Sequence, residues 1–413
     1  MLLKNAVVYN EDFEPIQADL AVEGEKIAGI GQVNAGGECL DLSGYTIIPG
    51  LIDMHIHGCA GFDASDGTPE ALEAMSRCLV ERGVTSFCPT SMTLSFEALQ
   101  KIFANVQEQK DKVTGAYIHG INMEGPYIAM SKKGAQNGAY VRNPDKEEFR
   151  RLYDGCGGCV SIVDIAPECD GAEAFIKEVQ PYCPVSTAHT AAGYEQAVQA
   201  IEWGVRHTTH LYNAMSGLTH RAPGVVGAVF DMARQYGVRG ELICDGFHIH
   251  PAALRIAFHQ LGEDGSVIVS DSMRAAGHVD GEYDLGGQTV YVKDGKALLA
   301  DGTIAASTSN LYEELKNVIS YGVPKKQAIK SATINPARAI RADGETGSIA
   351  VGKNADLLVL DTVTDFLLSS WTSAGRAKLT VAEIDPSHLH MPEIKCEEVR
   401  DTVSSLRLDA VAS

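Results

Sequence analysis

Apolar and polar positions follow two textures along this chain. Residues 1–48 carry short alternations, LLKNAVVYN, ADLAVEGEKIAGIGQV and CLDLSGYTIIP, with turn signals at Gly24-Glu25 and Gly36-Gly37, which predicts a small β unit. From Pro49 onward, short apolar runs alternate with amphipathic stretches. Strands are predicted over 51–57, 84–90, 116–124, 160–166, 184–189, 205–210, 240–245 and 266–271. Helices are predicted between them over 68–82, 95–109, 145–154, 171–179, 193–203, 222–236 and 251–261; the first opens on Thr68 as N-cap with Pro69 behind it. This rhythm predicts an α/β fold, a (β/α)8 barrel of the TIM type. The stretch beginning GEYDLGG predicts a β-hairpin excursion with turns at Gly286-Gly287 and Asp294-Gly295, followed by helices over 307–321 and 324–341. Residues 343–363 return to turns and strands, expected to pair with the N-terminal ones. The domain reading is therefore 1–48 and 343–379 as two parts of one small β-sandwich domain, 49–342 as the barrel, and 380–413 as a tail with no assigned role.

Chemistry-bearing residues fall at strand ends: His57, Glu124, His189, His210 and Asp271. A closed barrel brings such ends to one face, whereas a doubly wound sheet predicts no such regular sampling. Within PGLIDMHIHGCAG, His55 and His57 stand two apart, so on a strand both imidazoles point to the same side and can reach one cation. Glu124 adds a carboxylate able to bridge two cations. His119 and His207 have the opposite strand parity and are read as structural. His220, His250, His259 and His278 fall in loops or helices, and the pair His388 and His390 lacks a strand framework.

Composition narrows the function classes. A net charge of −20 excludes nucleic acid and anionic membranes as natural partners, while local cations still permit a small anionic substrate. No apolar run reaches the ~18 residues of a membrane span, and the N-terminus lacks a secretory pattern, so a cytoplasmic location is expected. Ten cysteines are scattered; Cys156 and Cys159 form one CGGC, read as a Gly-rich turn with free thiols.

The strings PGLIDMHIHG, NMEGPY, THLYNAM, RAPG and GSIAVGKNADLLVLD together resemble the amidohydrolase superfamily and, within it, the N-acetylglucosamine-6-phosphate deacetylases. The resemblance implies metal-dependent hydrolysis of an N-acetylated amino sugar phosphate. It implies that Glu124, His189 and His210 hold the main metal, that His55 and His57 complete a second position, and that Asp271 is the catalytic aspartate. One or two divalent ions per subunit (zinc, iron, manganese or cobalt) are implied. Gln136, Asn213, Ala214, Arg221, His248 and Ser307 are implied as substrate-side residues, with Arg221 reaching the neighbouring active site of a homodimer. Gln136 departs from the histidine some members carry. Another N-acetylated sugar phosphate, such as the galactosamine compound, or a cyclic amide is the alternative substrate; a non-catalytic scaffold conflicts with the complete ligand set.

Overall fold

A computed structural model describes residues 1–33, 37–364 and 367–372. The predicted tail, 380–413, and the pair His388 and His390 lie outside the described residues.

Eight parallel strands form a nearly closed barrel: β1 (Leu51–Ile56), β2 (Val84–Ser91), β3 (Ile121–Met123), β4 (Val160–Ile165), β5 (Val185–Thr187), β6 (His207–Thr208), β7 (Arg239–Ile243) and β8 (Ser266–Val269). Each pairs in parallel with the next in sequence. Past the strand ends, β8 and β1 are tied by Asp271 N–H donating to the His55 carbonyl (2.9 Å) and His57 N–H donating to the Ser272 carbonyl (2.9 Å). The strands are short and apolar on both sides because helices cover the outside while side chains fill the inside. Seven helices connect them, from Pro69–Val80 to Pro251–Gly265. The first starts as its sequence dictates: Thr68 accepts from the Ala71 N–H, and Pro69 occupies a position whose N–H would have no helical partner.

A separate sheet of terminal strands runs in the order Leu367–Trp371, Leu357–Asp361, Tyr45–Pro49, Leu2–Tyr9, Pro15–Glu23, Lys26–Gly31. The expected pairing of the two ends of the chain is therefore present, with Leu357–Asp361 antiparallel to Tyr45–Pro49. Leu3, Val8, Leu20, Ile27, Ile47 and Val359 form its own core. The Gly-rich excursion after β8 is larger than one hairpin: four antiparallel strands, Gly281–Leu285, Gln288–Lys293, Lys296–Leu298 and Ile304–Ala306.

Three predicted elements are cut differently. The strand over 116–124 is interrupted between Ile118 and Ile121, where Gly120 takes a left-handed φ of 143°. The helix over 307–321 starts only at Leu311, capped by Asn310, because Ser307 lies alongside β8's extension: Ser307 N–H donates to the Asp271 carbonyl (2.8 Å). The helix over 324–341 breaks at Thr333 into Lys325–Ala332 and Ile334–Ala339. Pro336 has no N–H to continue the ladder, and the Asn335 side-chain amide Nδ2 beside it donates to the carbonyls of Glu263 and Ser266.

Candidate metal centre

At the C-terminal mouth of the barrel the structure brings together the five expected metal ligands and the expected catalytic aspartate, Asp271. They fall into two buried groups, Glu124 with His189 and His210, and His55 with His57 and Asp271. β1 delivers His55 and His57 to the inside, as their spacing predicts. Glu124 follows β3 directly, and the chain then turns through Gly125, where φ is +77° and an added Cβ would lie 2.1 Å from the Thr93 hydroxyl. Glycine is required there on both counts. His189, His210 and Asp271 lie just beyond their strands in left-handed backbone, with φ of 42°, 29° and 45°. Such conformations are costly for residues with a Cβ and mark places where the surrounding structure fixes a side chain's aim.

In the first group, Glu124 Oε1 stands 3.0 Å from the Nε2 atoms of both His189 and His210, which are 3.1 Å apart. In the second, His57 Nε2 and His55 Nε2 lie 3.3 and 3.5 Å from Asp271 Oδ1. Glu124 spans both groups, with its other oxygen 3.2 Å from His57 Nε2. Its negative charge is one reason the site demands a cation. Burial opposes charging His57, yet hydrogen bonds to Asp271 and Glu124 push its pKa up to about 10. Burial likewise works against the Glu124 carboxylate, but the His55 charge and the imidazole hydrogen bonds hold it well below the usual range.

The donor set fits a divalent metal. His189 Nδ1 lies 2.8 Å from the Lys132 carbonyl, which only an N–H there can satisfy, so Nε2 is the nitrogen turned toward Glu124 Oε1. Positive charge belongs between that nitrogen and the carboxylate, and either a proton or a metal ion supplies it. Ligand atoms about 2.0–2.1 Å from a tetrahedral zinc stand roughly 3.3 Å from one another, close to the spacings of the first group. Binding there would displace protons from the same imidazoles.

The substrate-side residues are distributed around this centre. Gln136 is buried and turned inward: its Nε2 donates to Glu124 Oε2 (2.6 Å) and its Oε1 accepts from Thr93 N–H (2.7 Å), so it steadies the bridging carboxylate. His248 is held by Asp245, whose carboxylate accepts from Nδ1 (2.7 Å). Burial lowers the pKa of His248, but the Asp245 hydrogen bond and charge outweigh it and raise the value. His248, Asp245, Phe247 and Lys296 line a cavity of about 140 Å3. Asn213 and Ala214 form the turn after His210, with Ala214 at a φ of 49°. Ser307 pins Asp271 through the backbone, and its hydroxyl pairs with Ser309 (3.2 Å). Arg221 is exposed, on the loop before the helix Gly224–Tyr236.

His119 lies away from the centre, its ring edge-on to Tyr117. The parity reading of His207 needs correction. His207 and His210 both point into the barrel, because β6 ends at Thr208 and the chain leaves strand geometry before His210. His207 is not in either ligand group, but its Nε2 donates to Glu241 (2.9 Å), which also accepts from His55 Nδ1. Glu241, Asp245 and the Lys132 carbonyl were absent from the sequence reading.

Two clusters of imidazole and carboxylate at the mouth of a parallel barrel define a hydrolase with two candidate metal positions. The chain belongs to the amidohydrolase family, whose sequence model matches residues 46–386. It is 36% identical to N-acetylglucosamine-6-phosphate deacetylase of Bacillus subtilis (strain 168) over 329 residues, 78% of this chain and 82% of the relative. Its fold is similar to the crystal structure of N-acetylglucosamine-6-phosphate deacetylase from Pasteurella multocida, with a TM-score of 0.85 and 31% identity, covering 92% of this chain and 99% of that one. It is also similar to an aspartate-to-alanine mutant of the Mycobacterium smegmatis deacetylase in complex with N-acetyl-D-glucosamine-6-phosphate, with a TM-score of 0.84 and 30% identity, covering 91% and 98%.

Proposed function

We propose that this enzyme hydrolyses the acetamide of N-acetyl-D-glucosamine 6-phosphate, giving D-glucosamine 6-phosphate and acetate. The observation that carries the reading is the convergence of Glu124, His189 and His210 at 3.0–3.1 Å with Asp271 beside them. Glu124, His189 and His210, with His55, His57 and Asp271, would hold a divalent cation (zinc, iron, manganese or cobalt), which when bound would supply Lewis acidity toward the carbonyl and lower the pKa of water. Asp271 accepts the proton of the attacking water and returns it to the departing nitrogen as the C–N bond breaks. Glu124, fixed by Gln136, keeps the imidazoles aligned. His248, with Nδ1 committed to Asp245, presents its other nitrogen to the sugar. Asn213 and Ala214 offer backbone contacts to the phosphate.

Arg221 is exposed on its own subunit, which suits a guanidinium that reaches the phosphate in the neighbouring site of a homodimer. No helix among the described residues is long and apolar enough to cross a membrane.

Acetate release tests the substrate. The phosphorylated sugar is expected to be turned over far faster than N-acetylglucosamine. Arg221→Ala should raise KM for the phosphorylated sugar about tenfold or more, the worth of a charged hydrogen bond, with a smaller change in kcat. Equal turnover of both sugars would remove the phosphate assignment.

A further inference from the structure

Beneath the two ligand groups lies Glu241, on β7, fully buried inside the barrel. A carboxylate in such a place is costly unless its oxygens are satisfied, and here they are. Oε2 accepts from His55 Nδ1 (2.9 Å) and from the His210 backbone N–H (3.1 Å), while Oε1 accepts from His207 Nε2 (2.9 Å). One side chain thus touches a ligand of the second group and the backbone of a ligand of the first.

The two contacts have different consequences. The His55 contact aims the ring: Nδ1 donates to Glu241, so Nε2 is turned toward Glu124 and Asp271, buried with no hydrogen bond, and is the nitrogen that would give its lone pair to a metal once its proton leaves. The His210 contact involves only the backbone. The other oriented imidazoles rest on carbonyl oxygens, His189 on Lys132 (2.8 Å) and His57 on Thr90 (3.3 Å). A carboxylate behind an imidazole raises its basicity as well as aiming it, and loss of such a partner costs about 10–100-fold in metal affinity.

We infer that Glu241 is a positioning residue that makes the His55, His57 and Asp271 position a metal site, while the Glu124, His189 and His210 position fills without it. This rests on the reading that both groups bind metal.

The test is zinc binding to the purified full chain, with stoichiometry after dialysis and affinities by chelator competition. The wild type is expected to hold two equivalents. Glu241→Gln, which keeps the volume but not the charge, is expected to hold one tightly and to bind the other about 10–100-fold more weakly. Unchanged affinities in Glu241→Gln, or equal weakening of both equivalents, would overturn the inference. A wild type that takes fewer than two equivalents would instead overturn the two-position reading beneath it, and with it the inference. Should Glu241→Gln fail to fold, nitrogen-15 spectra of the zinc-loaded wild type, labelled at histidine, decide the matter. They are expected to show a proton on His55 Nδ1; a bare Nδ1 would overturn the assignment.

Discussion

Asp271→Asn is expected to lower kcat for acetate release by about four orders of magnitude, the upper end of what general acid–base groups contribute. The same side chain serves in both halves of the reaction, as acceptor of the water proton and donor to the amine, so nothing else in the site replaces it. Asparagine matches aspartate in shape, and the backbone ties of residue 271, its N–H to the His55 carbonyl and its carbonyl to the Ser307 N–H, do not involve the carboxylate. Compared as metal-free proteins, the variant should therefore have an unfolding temperature close to the wild type. Steady-state kinetics beside thermal unfolding separates the two effects. Retention of more than about a tenth of the activity would remove Asp271 from the proton transfers.

Glu124→Gln should have a comparable effect for a different reason. Glu124 Oε1 faces His189 and His210, and Oε2 faces His57 and Gln136. An amide leaves one acceptor where two are used, and its N–H2 would confront either the imidazole nitrogens or the Gln136 amide. We expect loss of tightly bound metal from the first group and a fall in activity of at least about three orders of magnitude. A stability readout distinguishes this from misfolding. Metal that binds only the folded chain raises its stability by mass action, so added zinc should raise the unfolding temperature of the wild type clearly more than that of Glu124→Gln. A variant that still gains stability from zinc to the same extent would contradict the role given to Glu124.

Much of this was legible in the sequence because it is local. Short apolar runs between helices mark the barrel strands to within a residue or two, except β3, which starts five residues later than its apolar run, and a barrel gathers whatever stands at their ends. That is enough to unite His55 with Asp271 across most of the chain. The legibility stops where the backbone leaves regular geometry. His189, His210 and Asp271 adopt left-handed φ beyond their strands, so counting parity back from His210 misjudges which way His207 faces. Glu241 was missed although a signal existed: a carboxylate inside the apolar run GELIC of a buried strand requires partners. Its partners, His55 and His207, come from two other strands, and only the closed barrel brings them to it. Lys132 contributes a carbonyl, which no side-chain pattern reveals. The break at Thr333 was readable in principle, since Pro336 stands inside the predicted helix.

Removing the metal tests the central claim. Enzyme stripped by a chelator and dialysed should release no acetate from N-acetylglucosamine 6-phosphate, and stoichiometric zinc, manganese, iron(II) or cobalt should restore it. Full turnover by protein shown to be metal-free would contradict the account.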